Sequence, residues 1–415
     1  MLCFLQAYRQ DETASKTKSG WNKLRKKEFM KKSLVFSFII MASHLAIAAN
    51  VVDLQINSLD LEKYAEKAEA YSFTDVSLKV NDQPWVTVEE METRGQSSIA
   101  AKRKNFGIKL EKKISLGQVD SKNVNLLNMW IDKGYVSSKF GLMIVDHLNI
   151  GAPIYNEYTE VRINGKTNGL YLMVEKPKSA AGDSPYVVRR AYKSRFKTDE
   201  AKIRKDLTKE ELSRIEKAGA SMYAVIATKS GSNLLNELKD RMDIEAYMKW
   251  MIMNSLFKNG DGADEVFFYV DDEMYAAGKI YFRIMPWDFD DLFKSMHNVS
   301  INQTELDRNP NTIIYNFEDK LDLKIANDQV LYAELKRLAR NLLMTELSQE
   351  KTSAILDSIQ EDISPYLERS DILELGKLDA GRKGIGYTKN EILEIISNRK
   401  IEIEKRRTWL LQRTN

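Results

Sequence analysis

The chain has 415 residues, enough for two or three structural units at roughly 150 residues each, and with 43% hydrophobic and 30% charged residues it can bury a core. One cysteine, Cys3, excludes a disulfide scaffold and a cysteine–zinc site, and three histidines argue against His-rich metal chemistry. The first 48 residues carry nine basic and three acidic groups, which leaves 54 basic against 57 acidic in the remainder, so the net charge of +3 conceals a slightly acidic body without the electrostatic footprint of a nucleic-acid binder.

Residues 1–29 are polar and fit no part of a leader, and they read as an over-extended start with Met30 as the true beginning. Met30-Lys31-Lys32, the apolar run Leu34–Met41 and Ala46-Ile47-Ala48 describe a secretory signal peptide over 30–48. The run is short for a transmembrane helix, and an uncleaved anchor is the alternative. We therefore expect a secreted or periplasmic protein with no stable membrane span after signal cleavage. Its cysteine-free body suits an oxidising compartment.

Residues 50–175 read mainly as strands with a helical insert. Asp75–Val80 alternates at period two, Asn81-Asp82-Gln83-Pro84 turns, and Trp85–Val88 starts a second strand. Phe106–Leu110 is a further short strand, and Lys139–Leu148 has apolar residues at helical spacing. Glu160–Ile163, a turn over residues 164–169 and Leu170–Val174 form a hairpin.

The composition shifts near residue 176. Residues 208–258 read as helical, with Thr208 as the cap. A strand pair, Val266–Val270 and Lys279–Ile284, follows. From about residue 328 the chain is helical and highly charged, interrupted at Pro365 and at the glycine-rich stretch Gly381–Gly386. The sum is a β-rich N-terminal lobe over 50–175 and an α-rich C-terminal lobe over 176–415, and a cleft between two such lobes is a natural ligand site.

Three constellations carry candidate chemistry. Arg94-Gly95-Gln96-Ser97-Ser98, followed by Lys102–Lys109, combines backbone access, hydroxyls and cations, the inventory of a phosphate cradle. An ordinary basic loop has the same composition. Asn259-Gly260-Asp261-Gly262-Ala263-Asp264-Glu265 offers oxygens for a hard cation, or a solvated turn. Met285-Pro286-Trp287-Asp288-Phe289-Asp290-Asp291 lodges acids among aromatics, where a carboxylate is costly unless paired or bound to metal. Together these suggest the acidic and basic sides of a metal–nucleotide site. A Ser–His–Asp hydrolase would need His147 or His297, and neither stands in a suggestive context; His147 reads as a packed or surface residue.

The order of these segments resembles the CotH kinase family, secreted atypical protein kinases associated with spore coats. Val88–Ser98 is similar to its strand ending in R-G-x-S-S, and Lys104–Leu110 to its K-x-[YF]-x-[IL]-K-L segment. Leu126–Leu148, with Asp132 and Lys139, is similar to the stretch that follows. Glu160–Glu175 resembles its V-x-[VL]-N-G-x-x-x-G-L-Y-L-x-x-E hairpin. Asn259 and Asp261 match its N-x-D, residues 286–290 match its P-W-D-[LF]-D, and Glu391–Trp409, with Arg399, resembles its terminal helix.

The resemblance implies an α+β, divergent protein-kinase-like two-lobed fold that binds ATP with Mg²⁺ or Mn²⁺. It implies transfer of the γ-phosphoryl group to protein serine or threonine. Asp261 is then the catalytic-loop aspartate, and Asp288 is the metal ligand, with Asp290 and Glu265 beside it. Arg94, Ser97, Lys104 and Lys109 lie by the phosphates, and Glu175 lies near the hinge. Two departures stand out. Asp264-Glu265 replaces the asparagines usual after the N-x-D, and Gly262 replaces the usual aromatic. A catalytically inactive kinase-like binding or scaffold protein of the cell envelope is therefore the alternative.

Overall fold

Period-two alternation in the first part of the chain builds a β-barrel. The computed structural model describes residues 49–415 apart from 66–68, 96–97, 117–118, 192–194, 197, 263–264, 294–312, 316–318 and 380–387. Its first eight strands are β1 (Val51–Gln55), β2 (Ser72–Phe73), β3 (Ser77–Val80), β4 (Val86–Arg94), β5 (Asn105–Leu116), β6 (Val119–Leu127), β7 (Asn156–Ile163) and β8 (Lys166–Glu175). They lie in the order β2-β4-β3-β1-β7-β8-β6-β5, and a further pairing of β4 with β5 closes seven of them into a ring with β2 hung on β4. β4 serves both neighbours by dividing its length. Val86 and Thr87 pair with β3, and Val88 to Arg94 pair with β5 past an irregularity at Val88/Glu90.

Inward positions such as Val52, Leu54, Phe106, Ile108, Val124 and Tyr171 are apolar and inaccessible to solvent. Helix α1 (Ser58–Ala65) packs here through Tyr64, whose ring meets Phe73 at 5.2 Å and Phe106 at 6.3 Å, edge-on in both cases. The expected kinase-like N-lobe needs correction: a closed seven-stranded barrel is not the N-lobe of an ordinary protein kinase. Alternation specifies strands with one apolar face. Whether the sheet closes depends on β4 bending at its bulge to reach β5, a long-range choice that local pattern does not encode. The β7–β8 hairpin is also tighter than its sequence suggests. Asn164 (φ +50°) and Gly165 (φ +77°) form a two-residue turn, and β8 resumes at Lys166.

The second part of the chain is mainly helical. Helix α2 (Ser137–His147) lies between β6 and β7 in sequence, but its apolar residues belong to the core of the helical part. Helices α3 (Lys209–Thr228), α4 (Gly231–Arg241) and α5 (Ile244–Phe257) follow, and α3 starts with the Thr208–Glu211 capping box. A second sheet holds β9 (Tyr186–Ala191), the short β10 (Arg195–Phe196) and β11 (Lys202–Ile203), β12 (Val266–Val270) and β13 (Phe282–Pro286). β12 is buried along its whole length, which explains its unbroken apolar sequence. β13 begins at Phe282 rather than at Lys279.

Helices α6 (Lys320–Asn327), α7 (Gln329–Met344), α8 (Gln349–Leu367), α9 (Ser370–Asp379) and α10 (Lys389–Arg413) complete the fold. Pro365 does not interrupt the chain as expected; it sits in the last turn of α8. Gly381–Gly386 lie outside the described residues.

Helix α8 and the turn after it clamp the barrel. The Tyr366 hydroxyl donates to the Tyr158 carbonyl at 2.8 Å, and the Arg369 guanidinium grips the buried Glu160 carboxylate at 2.8 and 3.1 Å. The result is an α+β protein with a β-rich N-terminal region and a helical C-terminal region. No described helix is long and apolar enough to cross a membrane.

Candidate active site

Helix α5 ends at Phe257, and Lys258 in the left-handed region (φ +49°) turns the chain into Asn259-Gly260-Asp261-Gly262. Asn259 fixes this turn. Its amide donates to Asn254 Oδ1 at 3.2 Å, while its Oδ1 accepts the Asp261 N–H at 3.2 Å. A Cβ at position 262 would lie 3.0 and 3.2 Å from the side-chain nitrogens of Asn254 and Asn259, so Gly262 here fits a packed turn that an aromatic residue would disturb.

β13 delivers the second acidic segment. Asp288 is left-handed (φ +59°), a conformation aspartate tolerates better than most residues. The buried Phe289 ring lies against α2 at Gly141, where a Cβ would come within 2.2 Å of Phe289 Cγ. The Phe293 ring lies tilted 6.0 Å from that of Phe140, with the Arg399 guanidinium 4.5 Å from its ring centre. Backbone bonds join the two acidic segments: Gly260 N–H to Asp291 O at 2.9 Å, Phe293 N–H to Phe257 O at 2.8 Å, and Trp287 N–H to Glu265 O at 3.0 Å.

The half-buried Asp288 carboxylate makes no hydrogen bond or close ion pair among the described residues. Burial pushes its pKa above the ordinary aspartate range. Arg94 and Arg189 pull it back down, and Asp291 and Asp261 push it further up. Arg94, at the end of β4, is itself held below the usual arginine range by burial, with Asp288 the strongest charge opposing that shift. Arg189 on β9 pairs with Glu265 at 2.5 Å. Arg94, Arg189, Asp261, Glu265, Asp288 and Asp291 thus interact as one charged group across the barrel and the helical region.

The remaining sequence candidates are not among the charges that bear on Arg94 and Asp288. Lys104 is buried and donates to the Ile99 carbonyl at 2.8 Å, holding the loop that Gly95 opens with φ +109°. Lys109 sits on the barrel exterior between Glu89 at 2.7 Å and Glu90 at 3.1 Å. Glu175 is raised in pKa by burial and interacts with Ser121, Lys113 and Lys202. Asp290 is half-buried, and the acids that bear most on Asp288 are Asp291 and Asp261 instead. Ser97 lies outside the described residues. Asp132 accepts the N–H groups of Ser137 and Ser138 at 2.8 and 2.9 Å, and Lys139 pairs with Asp362 at 3.0 Å, so both shape α2 and its surroundings. His147 meets Glu346 at 3.1 Å.

Sequence reasoning missed Arg189, and it named Asp291 within the acidic segment without choosing it as a ligand. Two arginines ending the apolar stretch Tyr186-Val187-Val188 were the available signal for Arg189, since charges next to a buried strand require partners.

Among the described residues, no three His, Cys, Asp or Glu side chains converge into a ready metal cage. Asp288, unbonded among the described residues and with acid neighbours, fits a hard cation of the Mg²⁺ type, which takes one or two carboxylates and completes its shell with water and phosphate oxygens. An open polar concavity at Thr228, Lys229, Asn233, Glu237 and Asp240 shares no residue with this group, and its Lys229 and Glu237 pair with each other at 2.5 Å.

The model of the family described as CotH kinase protein matches residues 91–410. No curated protein matches the chain.

Proposed function

The chain belongs to the CotH kinase family, and from that premise we propose an exported atypical kinase that transfers the γ-phosphoryl group of ATP to serine or threonine of a protein. The observation that carries the reading is Asp288: a costly, half-buried carboxylate with no bonded partner among the described residues, and with Arg94 as its strongest opposing charge.

In this reading Asp288 and one neighbouring acid hold Mg²⁺ or Mn²⁺, which when bound neutralises phosphate charge. Arg94 binds phosphate oxygens from the barrel side. Asp261, fixed by Asn259, accepts the proton of the acceptor hydroxyl as its oxygen bonds to the γ-phosphorus. The bond from that phosphorus to the bridging oxygen breaks, and ADP leaves with the electron pair. Export through the 30–48 leader belongs to the same proposal, and N-terminal sequencing of secreted or periplasmic protein tests it.

Transfer of ³²P from γ-labelled ATP to the protein itself and to added acceptor proteins tests the chemistry. Asp261→Asn should keep ATP affinity within a few fold while transfer falls by roughly 10² or more. Equal transfer by variant and wild type would remove Asp261 from the role of base. The engagement of Glu265 by Arg189 favours a second reading, an inactive nucleotide-binding scaffold of the cell envelope. Wild type that binds ATP but transfers nothing with any divalent cation would establish it.

A further inference from the structure

On the outer face of the barrel, Glu92 of β4, Gly107 of β5, Asn125 of β6 and Val174 of β8 stand in one register row. Asn125 is fully buried, and neither its amide nitrogen nor its oxygen has a hydrogen-bond partner among the described residues. Leaving both ends of a buried amide unpaired is costly. Lys176 follows β8 directly, and its side chain forms no hydrogen bond or ion pair among the described residues.

The three groups meet above Gly107. A Cβ built there would lie 3.6 Å from Lys176 Nζ, 3.6 Å from Arg94 Cδ and 3.7 Å from Asn125 Oδ1. These are ordinary contacts, so the strand does not demand glycine for steric reasons. The missing side chain leaves a small space walled by two cations and an unpaired amide, and glycine inside a strand often marks a close ligand approach.

We propose that Lys176, Asn125 and Arg94 around Gly107 form an oxyanion subsite that takes a phosphate of the nucleotide, with Lys176 as its principal lysine. The proposal rests on the reading of this region as a nucleotide site. Burial, and after it the repulsion of Arg94, lowers the Lys176 pKa, a strain that a bound anion relieves. Lys104 and Lys109 are engaged by Ile99 and by Glu89 and Glu90.

Calorimetry on the full chain with tripolyphosphate, ATP and adenosine as separate probes tests this. Lys176→Gln should weaken tripolyphosphate and ATP about tenfold or more and leave adenosine unchanged. Asn125→Asp, nearly isosteric, should do the same by repulsion, while Lys109→Gln should have little effect. Circular dichroism checks that each variant folds. Wild type that binds ATP, with unchanged tripolyphosphate and ATP affinity in folded Lys176→Gln and Asn125→Asp, overturns the subsite and leaves the nucleotide reading standing. Tripolyphosphate binding that needs Lys176, without any ATP binding, supports the subsite and overturns the nucleotide reading. Wild type that binds neither overturns both.

Discussion

Arg94 at the end of β4 and Asp288 beyond β13 are each other's strongest opposing charge. Burial disfavours the charged form of both, so each compensates part of a cost that the other also bears. The pair spans the two halves of the molecule.

Asp288→Asn should therefore stabilise the nucleotide-free protein at neutral pH. The folded pKa of Asp288 is raised, so its contribution to stability is present below the unfolded value and is lost as pH rises through the raised one. Asparagine removes that penalty and tolerates the left-handed backbone well. Thermal melts should show a melting temperature at or above wild type at neutral pH, with the gain shrinking in acid. A lower melting temperature at neutral pH would mean that Asp288 is held by local bonds instead.

Gly141→Ala offers a contrast between helix propensity and packing. In an open helix this change stabilises by about 1 kcal/mol. Here the new Cβ would lie 2.2 Å from Phe289 Cγ and 2.4 Å from its Cβ. The variant should lose about 1–3 kcal/mol, and metal-dependent ATP binding should weaken because Phe289 carries Asp288 with it. Denaturant melts and calorimetry measure both. A stabilised variant with normal ATP binding would contradict the coupling.

Much of this arrangement was legible in the sequence, and the rest was not for identifiable reasons. The Asn164-Gly165 hairpin, the Thr208 cap and the apolar β12 are local signals, and local signals survive folding. The acidic segments were visible because aspartates among aromatics break the expected pattern. Closure of the barrel was invisible, since it depends on β4 pairing with both β3 and β5. Which neighbours the lysines near Arg94 contact was equally hidden in the sequence. Lys104 turns to the Ile99 carbonyl and Lys109 to its own hairpin's acids, while Lys176 arrives from β8 across the sheet. Ion pairing between neighbours competes with function, and composition does not reveal which side chain is already occupied.

The clamp between barrel and helices makes a prediction about stability alone. Arg369→Ala removes a forked contact to Glu160, whose carboxylate is 1% exposed. Arg162 stays bonded to it at 2.9 Å, which limits the loss. Unfolding free energy should fall by about 2 kcal/mol, with ATP affinity changed less than twofold. A loss under 0.5 kcal/mol would show that Arg162 alone satisfies Glu160.

The most direct test of the metal–nucleotide reading is calorimetric ATP binding to wild type, Asp288→Ala and Arg94→Ala, each with and without Mn²⁺. If Asp288 holds the cation and Arg94 the phosphates, wild type should bind ATP more tightly with Mn²⁺. Asp288→Ala should lose that increment and keep the metal-free affinity, and Arg94→Ala should bind weakly in both conditions. Absence of ATP binding by folded wild type, or an undiminished Mn²⁺ increment in Asp288→Ala, would contradict it.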